Sequence, residues 1–98
     1  MENKRIDFSI GIFDEISEVI KEKIKKESSN CEYYGVGVYT DDLVIEEYMT
    51  YPVRKTEERM EQAKQLEGVD FVFEVNNTDT KELKKIIEQE YLKILKNK

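Results

Sequence analysis

Glu32-Tyr33-Tyr34-Gly35-Val36-Gly37-Val38-Tyr39, residues 32–39, is the stretch on which the fold turns. It is apolar and aromatic, holds two glycines, and is closed by Thr40-Asp41-Asp42, a loop or helix-cap signal. Such a run reads as a buried strand with small residues where another group packs close. Upstream, Ile16, Val19, Ile20 and Ile24 recur at helical spacing over Ile16–Lys26. Asp14 and Glu15 suit the positive N-terminal end of that helix, and Ser28-Ser29-Asn30 ends it. Before it, Arg-Ile-Asp-Phe-Ser-Ile-Gly-Ile-Phe over residues 5–13 places apolar side chains at 6, 8, 10 and 12, the two-residue period of a strand. The other face of this strand carries Asp7 and Ser9, so that face is expected to be incompletely covered.

Downstream, Leu43–Tyr48 fits a short helix and Tyr51-Pro52 marks a break. Thr56–Leu66 is helical in spacing, with Met60, Ala63 and Leu66 facing inward and Gly68 as C-cap. Val69–Val75 is an apolar run interrupted by Asp70 and Glu74, a third strand. Asn76-Asn77-Thr78 turns, and Asp79 with Glu82 forms a capping-box pattern for a last helix that buries Leu83, Ile86, Ile87, Tyr91, Ile94 and Leu95. The order β-α-β-α-β-α predicts an α/β fold with a three-stranded, parallel, Rossmann-like sheet and right-handed crossovers. In sheet order 3-2-1 both crossover helices share one face, and the last helix covers the other. Residues 1–98 are expected to form a single domain.

Composition narrows the function. Ninety-eight residues suit one domain. Lys plus Arg is 16 against 22 for Asp plus Glu, a net charge of −6, which argues against the broad basic footprint that grips nucleic acid or an anionic membrane. No apolar run approaches the ~18 residues of a membrane span, and Met-Glu-Asn-Lys-Arg is too polar for a secretory signal. One cysteine fits a reducing, cytoplasmic compartment. With no histidine and one cysteine, neither His-based acid–base chemistry nor a zinc site is expected, and no metal site is assigned.

Three segments in register carry a family resemblance. Gly11-Ile12-Phe13-Asp14 ends the first strand, and Gly35-Val36-Gly37-Val38-Tyr39-Thr40-Asp41-Asp42 ends the second. Pro52, Glu58-Arg59 and Gly68-Val69-Asp70-Phe71-Val72 lead into the third. In this order the chain resembles the cytidylyltransferase-like nucleotidyltransferases, which include glycerol-3-phosphate and phosphoethanolamine cytidylyltransferases. These read G-x-F-D, then V-G-V-x-T-D-E, then P, E-R and V-D-x-V. The resemblance implies transfer of a cytidylyl group from CTP, with Mg²⁺, to a phosphorylated alcohol, releasing pyrophosphate. It points to Gly11, Ile12, Phe13, Asp14 and Arg59 for the nucleotide and to Thr40, Asp41 and Asp42 for the substrate.

The family motif continues G-x-F-D-x-x-H-x-G-H, and there the resemblance breaks. Ser17 and Ile20 stand at the histidine places and Val19 at the glycine place, while Glu15 and Glu18 add negative charge. Glu46, Glu47 and Tyr48 occupy the region of the family's phosphate-binding lysine. The R-T-x-x-I-S-T signature is missing, and so is the fourth strand that flanks the first; the fold is expected to be a truncated version of the family's.

Each singled-out group has a plainer role as well. Gly11–Asp14 serves either as a phosphate-approach turn or as a strand-to-helix turn capped by Asp14. Thr40-Asp41-Asp42 is either a substrate contact or a capped loop. Glu58-Arg59 offers a phosphate contact or a surface ion pair worth about a few tenths of a kcal/mol. Cys31 reads as incidental, Tyr33, Tyr34, Tyr39, Tyr48 and Tyr51 as packing residues or an aromatic surface for a partner, and Lys84, Lys85, Lys93, Lys96 and Lys98 as a solvated helix face. The expected function is that of a degenerate, non-catalytic domain that binds a partner chain or a second copy of itself as a homodimer. The alternative is an active nucleotidyltransferase with altered catalytic residues, and in either case a nucleotide is a candidate ligand.

Overall fold

The computed structural model describes residues 4–96. Chain order is β1 (Lys4–Gly11), α1 (Glu18–Ser28), β2 (Cys31–Tyr39), α2 (Asp41–Tyr48), α3 (Thr56–Lys64), β3 (Phe71–Val75) and α4 (Thr80–Lys96). The strands form one parallel sheet in the order β1-β2-β3, as expected, with β2 in the centre. Among the described residues β1 and β3 are the two edges, and no helix is long and apolar enough to cross a membrane.

Period-two alternation sorts the core into two layers. On one face Phe71, Phe73 and Val75 of β3 bury against Leu43 of α2 and Leu83 and Ile87 of α4. Ile6, Phe8 and Ile10 of β1 lie on this face only partly buried. On the other face Tyr34, Val36 and Val38 of β2 pack under Ile24 of α1 and Ala63 of α3, with Phe13, Ile20 and Met60 at the margin. The crossover helices α1 and α3 therefore share one face and α4 takes the other, the arrangement the sequence implies.

The glycines of β2 shape the first layer. Gly35 pairs with Phe71 and Gly37 with Phe73 across the ladder, and both phenyl rings lie over the bare backbone. A Cβ on Gly37 would sit 2.6 Å from Phe73 Cε2 and 2.7 Å from Val75 Cγ2. Val69-Asp70 also proves structural. Asp70 N–H donates to Tyr34 O at 2.7 Å and its carboxylate accepts the Tyr34 N–H at 2.7 Å, which extends the β2–β3 pairing by one step.

Several boundaries differ from expectation for local reasons. β1 stops at Gly11 because the chain turns at Phe13, which adopts a left-handed φ of 55°. α1 starts at Glu18, not Ile16, because Ser17 rather than Asp14 is its N-cap, accepting the Ile20 N–H at 3.3 Å. β3 starts at Phe71 rather than Val69. α3 stops at Lys64 with Gln65 as C-cap, so Gly68, though left-handed at φ 97°, lies beyond the helix end. Leu95 is 44% exposed on α4 rather than buried; Tyr51 is exposed, and Tyr48, though exposed, stacks on Tyr39 with ring centroids 6.4 Å apart. Lys98 lies outside the described residues.

Candidate functional site

In open parallel sheets, ligands meet the carboxyl ends of the strands. Here those ends are locked to one another by a buried arginine. Arg59 of α3 is 0% exposed. Its Nε donates to Arg54 O at 2.9 Å, and Nη1 donates to Ile12 O at 2.8 Å and Tyr39 O at 2.7 Å. Nη2 donates to Asp41 Oδ1 at 2.6 Å and lies 3.4 Å from Thr56 Oγ1. Every N–H of the guanidinium thus has a protein partner. This corrects the surface ion pair expected for Glu58-Arg59. The side chain points inward and ties the end of β1, the end of β2, the start of α2 and the segment before α3 into one knot.

Asp14 makes a second tie beside it. Its carboxylate accepts the Val53 N–H at 2.6 Å and the Arg54 N–H at 3.0 Å. Arg54 Nη1 returns a hydrogen bond to Asp14 O at 2.8 Å, and Gln62 Nε2 reaches Phe13 O at 3.4 Å. Asp14 therefore holds the α2–α3 connector instead of capping α1. Thr40 caps α2 by accepting the Leu43 N–H at 3.3 Å, and its own N–H donates to Val75 O at 3.0 Å. Asp41 N–H donates to Thr56 Oγ1 at 3.0 Å, while Asp42 stays exposed.

Partial burial pushes the Asp41 carboxyl up, but hydrogen bonds from Arg59 and Thr56 outweigh it and hold the carboxyl below its ordinary value. The folded state then binds this proton less tightly than the unfolded chain does. The stabilisation is complete above the unfolded pKa and disappears as pH falls through the folded one. Replacement by Asp41→Asn is expected to lower stability near pH 7 and to change it less near pH 3, below the ordinary carboxylate value, where the unfolded chain already binds the proton and part of the stabilisation is gone. Urea unfolding at the two pH values measures the gap; a gap that is wider in acid would contradict the assignment.

Beside the lock, between the end of β1 and α1, lies a cleft of ≈ 200 Å³ lined by Ser9, Ile10, Gly11, Ile12, Phe13, Ile20, Lys23 and Ile24. Ile20, at a histidine place of the resembled motif, presents an aliphatic wall to it. Ser17, at the other, is exposed and engaged in capping α1. The cleft's inner wall is stiffened by a polar trio in which Tyr34 OH donates to Glu27 Oε2 at 2.6 Å and Ser9 Oγ contacts both. Burial, then Glu27, push the Tyr34 hydroxyl well above its ordinary value, so it stays a neutral donor. Among the described residues no group of three or more His, Cys, Asp or Glu is placed to hold a metal ion.

The residues singled out for nucleotide thus part company. Gly11, Ile12 and Phe13 line the cleft, whereas Asp14 and Arg59 join Thr40 and Asp41 in the lock behind it. Lys23, Arg54 and Ser9 were missed. Lys23 was within reach, since it follows Ile20 by one helical step. No local signal pairs Arg54 with Asp14, 40 residues away.

The chain matches no protein-family model and no curated protein. Among solved structures it is similar to the lipopolysaccharide core biosynthesis protein from Thermoplasma volcanium GSS1, with a TM-score of 0.74 and 17% sequence identity. That match covers 86% of this chain and 67% of the other. At this identity the likeness establishes the fold: an α/β, Rossmann-like domain with a parallel sheet.

Proposed function

We propose that this chain is a non-catalytic domain of the cytidylyltransferase-like kind that works by binding, through association with a second copy of itself. The observation that carries this reading is the disposition of positive charge. Transfer of a nucleotidyl group needs cations aimed at the reacting phosphates. Here the cleft has Lys23 as its lining cation. Arg59 has every N–H bonded within the protein, and Arg54 is held on Asp14. The chain has no histidine to supply the rest. Val19, at the motif's glycine place, is 78% exposed and branched, so a phosphate cannot approach the α1 backbone closely there. The acidic Glu18 in the first turn of α1 repels a polyanion.

Association is supported by the sheet. An unpaired parallel edge is unusual and is commonly covered or matched. The single cysteine fits a reducing, cytoplasmic setting for such a contact. Incubation with CTP, Mg²⁺ and phosphorylated alcohols is expected to release no pyrophosphate, and light scattering at micromolar concentration is expected to give twice the chain mass. Steady pyrophosphate release would establish the opposite reading, an active nucleotidyltransferase.

A further inference from the structure

We infer that the self-association proposed above seats the last turn of α4 from one copy on the exposed apolar segment Tyr48–Val53 of the other, about a two-fold axis that makes the contact twice. The inference rests on that reading and names its surfaces. The free edge of β1 invites a partner without selecting one, whereas the connector after α2 selects one by chemistry. Tyr48, Met49, Tyr51 and Val53 are exposed there, Met49 at 90% and Val53 at 87%. Beside them runs a groove of ≈ 350 Å³ with Ile45, Tyr51, Pro52 and Val53 in its wall and Asp41, Arg54 and Lys55 as its polar lining. Two local choices in this segment work against α2 itself. Met49, its C-cap, holds a left-handed φ of 56°, a conformation glycine adopts at least cost. Glu46 and Glu47 stand at the negative end of the helix, where carboxylates are unfavourable, and α2 has no basic residue in that turn. Among the described residues neither they nor Asp42 form an ion pair. Choices that break local preference mark a use outside the element. Of the cations nearby, Arg54 is held on Asp14 and Arg59 on Asp41, and Lys55 is followed by the exposed Glu57 and Glu58. The surface is apolar with an acidic surround, and it calls for an apolar occupant that carries cations.

The chain itself carries such an occupant. Leu92 and Leu95 are 57% and 44% exposed and lie one helical turn apart, with Lys93 and Lys96 in the same last turn of α4. Lys93 reaches Glu90 at 3.4 Å on the surface, and Lys96 has no ion-pair partner among the described residues. The acidic neighbours, Glu88 and Glu90, precede this turn, so its end is cationic. Seating it on the α2 connector sets leucines against Met49 and Val53 and lysines against Glu46 and Glu47, apolar contact with complementary charge around it. The topology closes the pair. Helices α2 and α4 lie on one face of the sheet, where Leu43 packs with Leu83 and Ile87. From the carboxyl end of β3, α4 runs back to the amino ends of the strands, where Tyr91 accepts a hydrogen bond from Arg5 Nη1 at 3.0 Å and meets the ring of Tyr33. The two surfaces therefore stand at opposite ends of one face, and two antiparallel copies satisfy both at once. A copy seated on Leu92 and Leu95 also lies beside the part-buried Ile6 and Phe8 of β1.

The test is charge reversal in full-length chains. One variant carries Glu46→Lys and Glu47→Lys, the other Lys93→Glu and Lys96→Glu, and thermal unfolding establishes that each is folded before use. At a concentration where the unaltered chain scatters as a dimer, each variant alone is expected to give the single-chain mass, because like charges then meet at both contacts. An equimolar mixture is expected to restore the double mass, because each contact again joins unlike charges. A further variant, Met49→Gly, eases the left-handed backbone and removes an apolar contact. It is expected to keep the melting temperature of the chain while the dimer dissociation constant rises about tenfold. Reversed variants that dimerise alone, a folded mixture that stays at single-chain mass, or Met49→Gly with unchanged dimerisation overturn these surfaces and leave self-association standing. A mass above twice the chain overturns the two-fold arrangement. An unaltered chain that stays monomeric removes both the surfaces and the self-association.

Discussion

Arg59→Met is expected to lose about 3–5 kcal/mol of stability, because several part-buried acceptors lose a fully buried donor at about 1–3 kcal/mol each. The size follows from what the guanidinium serves. Its loss strands three carbonyl oxygens, those of Ile12, Tyr39 and Arg54, where water cannot readily replace the donors. It also leaves Asp41 without its partner at 2.6 Å. Small domains have only about 5–15 kcal/mol in all, so this variant would be close to unfolding. Arg59→Lys is expected to recover little, because an ammonium on a flexible stem cannot reproduce a planar fork that meets several acceptors at once. Urea unfolding of both variants measures this. A loss below about 1 kcal/mol for Arg59→Met, the size of an exposed ion pair, would show that the strand-end lock is not structural.

Gly35→Ala is the second large effect, and here two physical terms oppose each other. Alanine in a strand interior normally stabilises by about 0.5–1 kcal/mol relative to glycine. The added methyl group, however, would enter the ring of Phe71, which is 8% exposed and hemmed in by the first core layer. Overpacking of this kind costs about 1–3 kcal/mol, so the packing term wins and the variant should be destabilised. Combining it with Phe71→Leu opens the space the methyl needs. The double variant should therefore lose less than the sum of the two single ones, a coupling that thermal or urea unfolding can resolve. Strict additivity would mean that the ring is not what excludes a side chain at residue 35.

These two cases also mark where the sequence can be read and where it cannot. The glycines of residues 32–39 announce a close approach by themselves, because nothing else explains two of them inside an apolar strand. Likewise the alternation of Ile6, Phe8 and Ile10 and the helical spacing through Ile20 and Ile24 give β1 and α1, and with them the parallel sheet. Arg59 carries no such signal. It stands next to Glu57 and Glu58 in a charged helix, which by local pattern is a solvated face. Its burial arises because Ile12, Tyr39 and Arg54, distant in sequence, present carbonyl oxygens to one point. Asp14 was misread for the same reason: its acceptors' partners, the N–H groups of Val53 and Arg54, come from a connector with no periodicity of its own. Ser17 was weighed for lost charge, while its capping of α1 was equally written in its position before Glu18.

Whether this cleft can hold a polyanion separates a non-catalytic domain from an active nucleotidyltransferase most directly. Isothermal calorimetry of the full chain with CTP and Mg²⁺ is expected to give no saturable heat at millimolar nucleotide. Tight binding that vanishes on Lys23→Ala, or crystals with CTP ordered between Ile20 and Gly11, would contradict it.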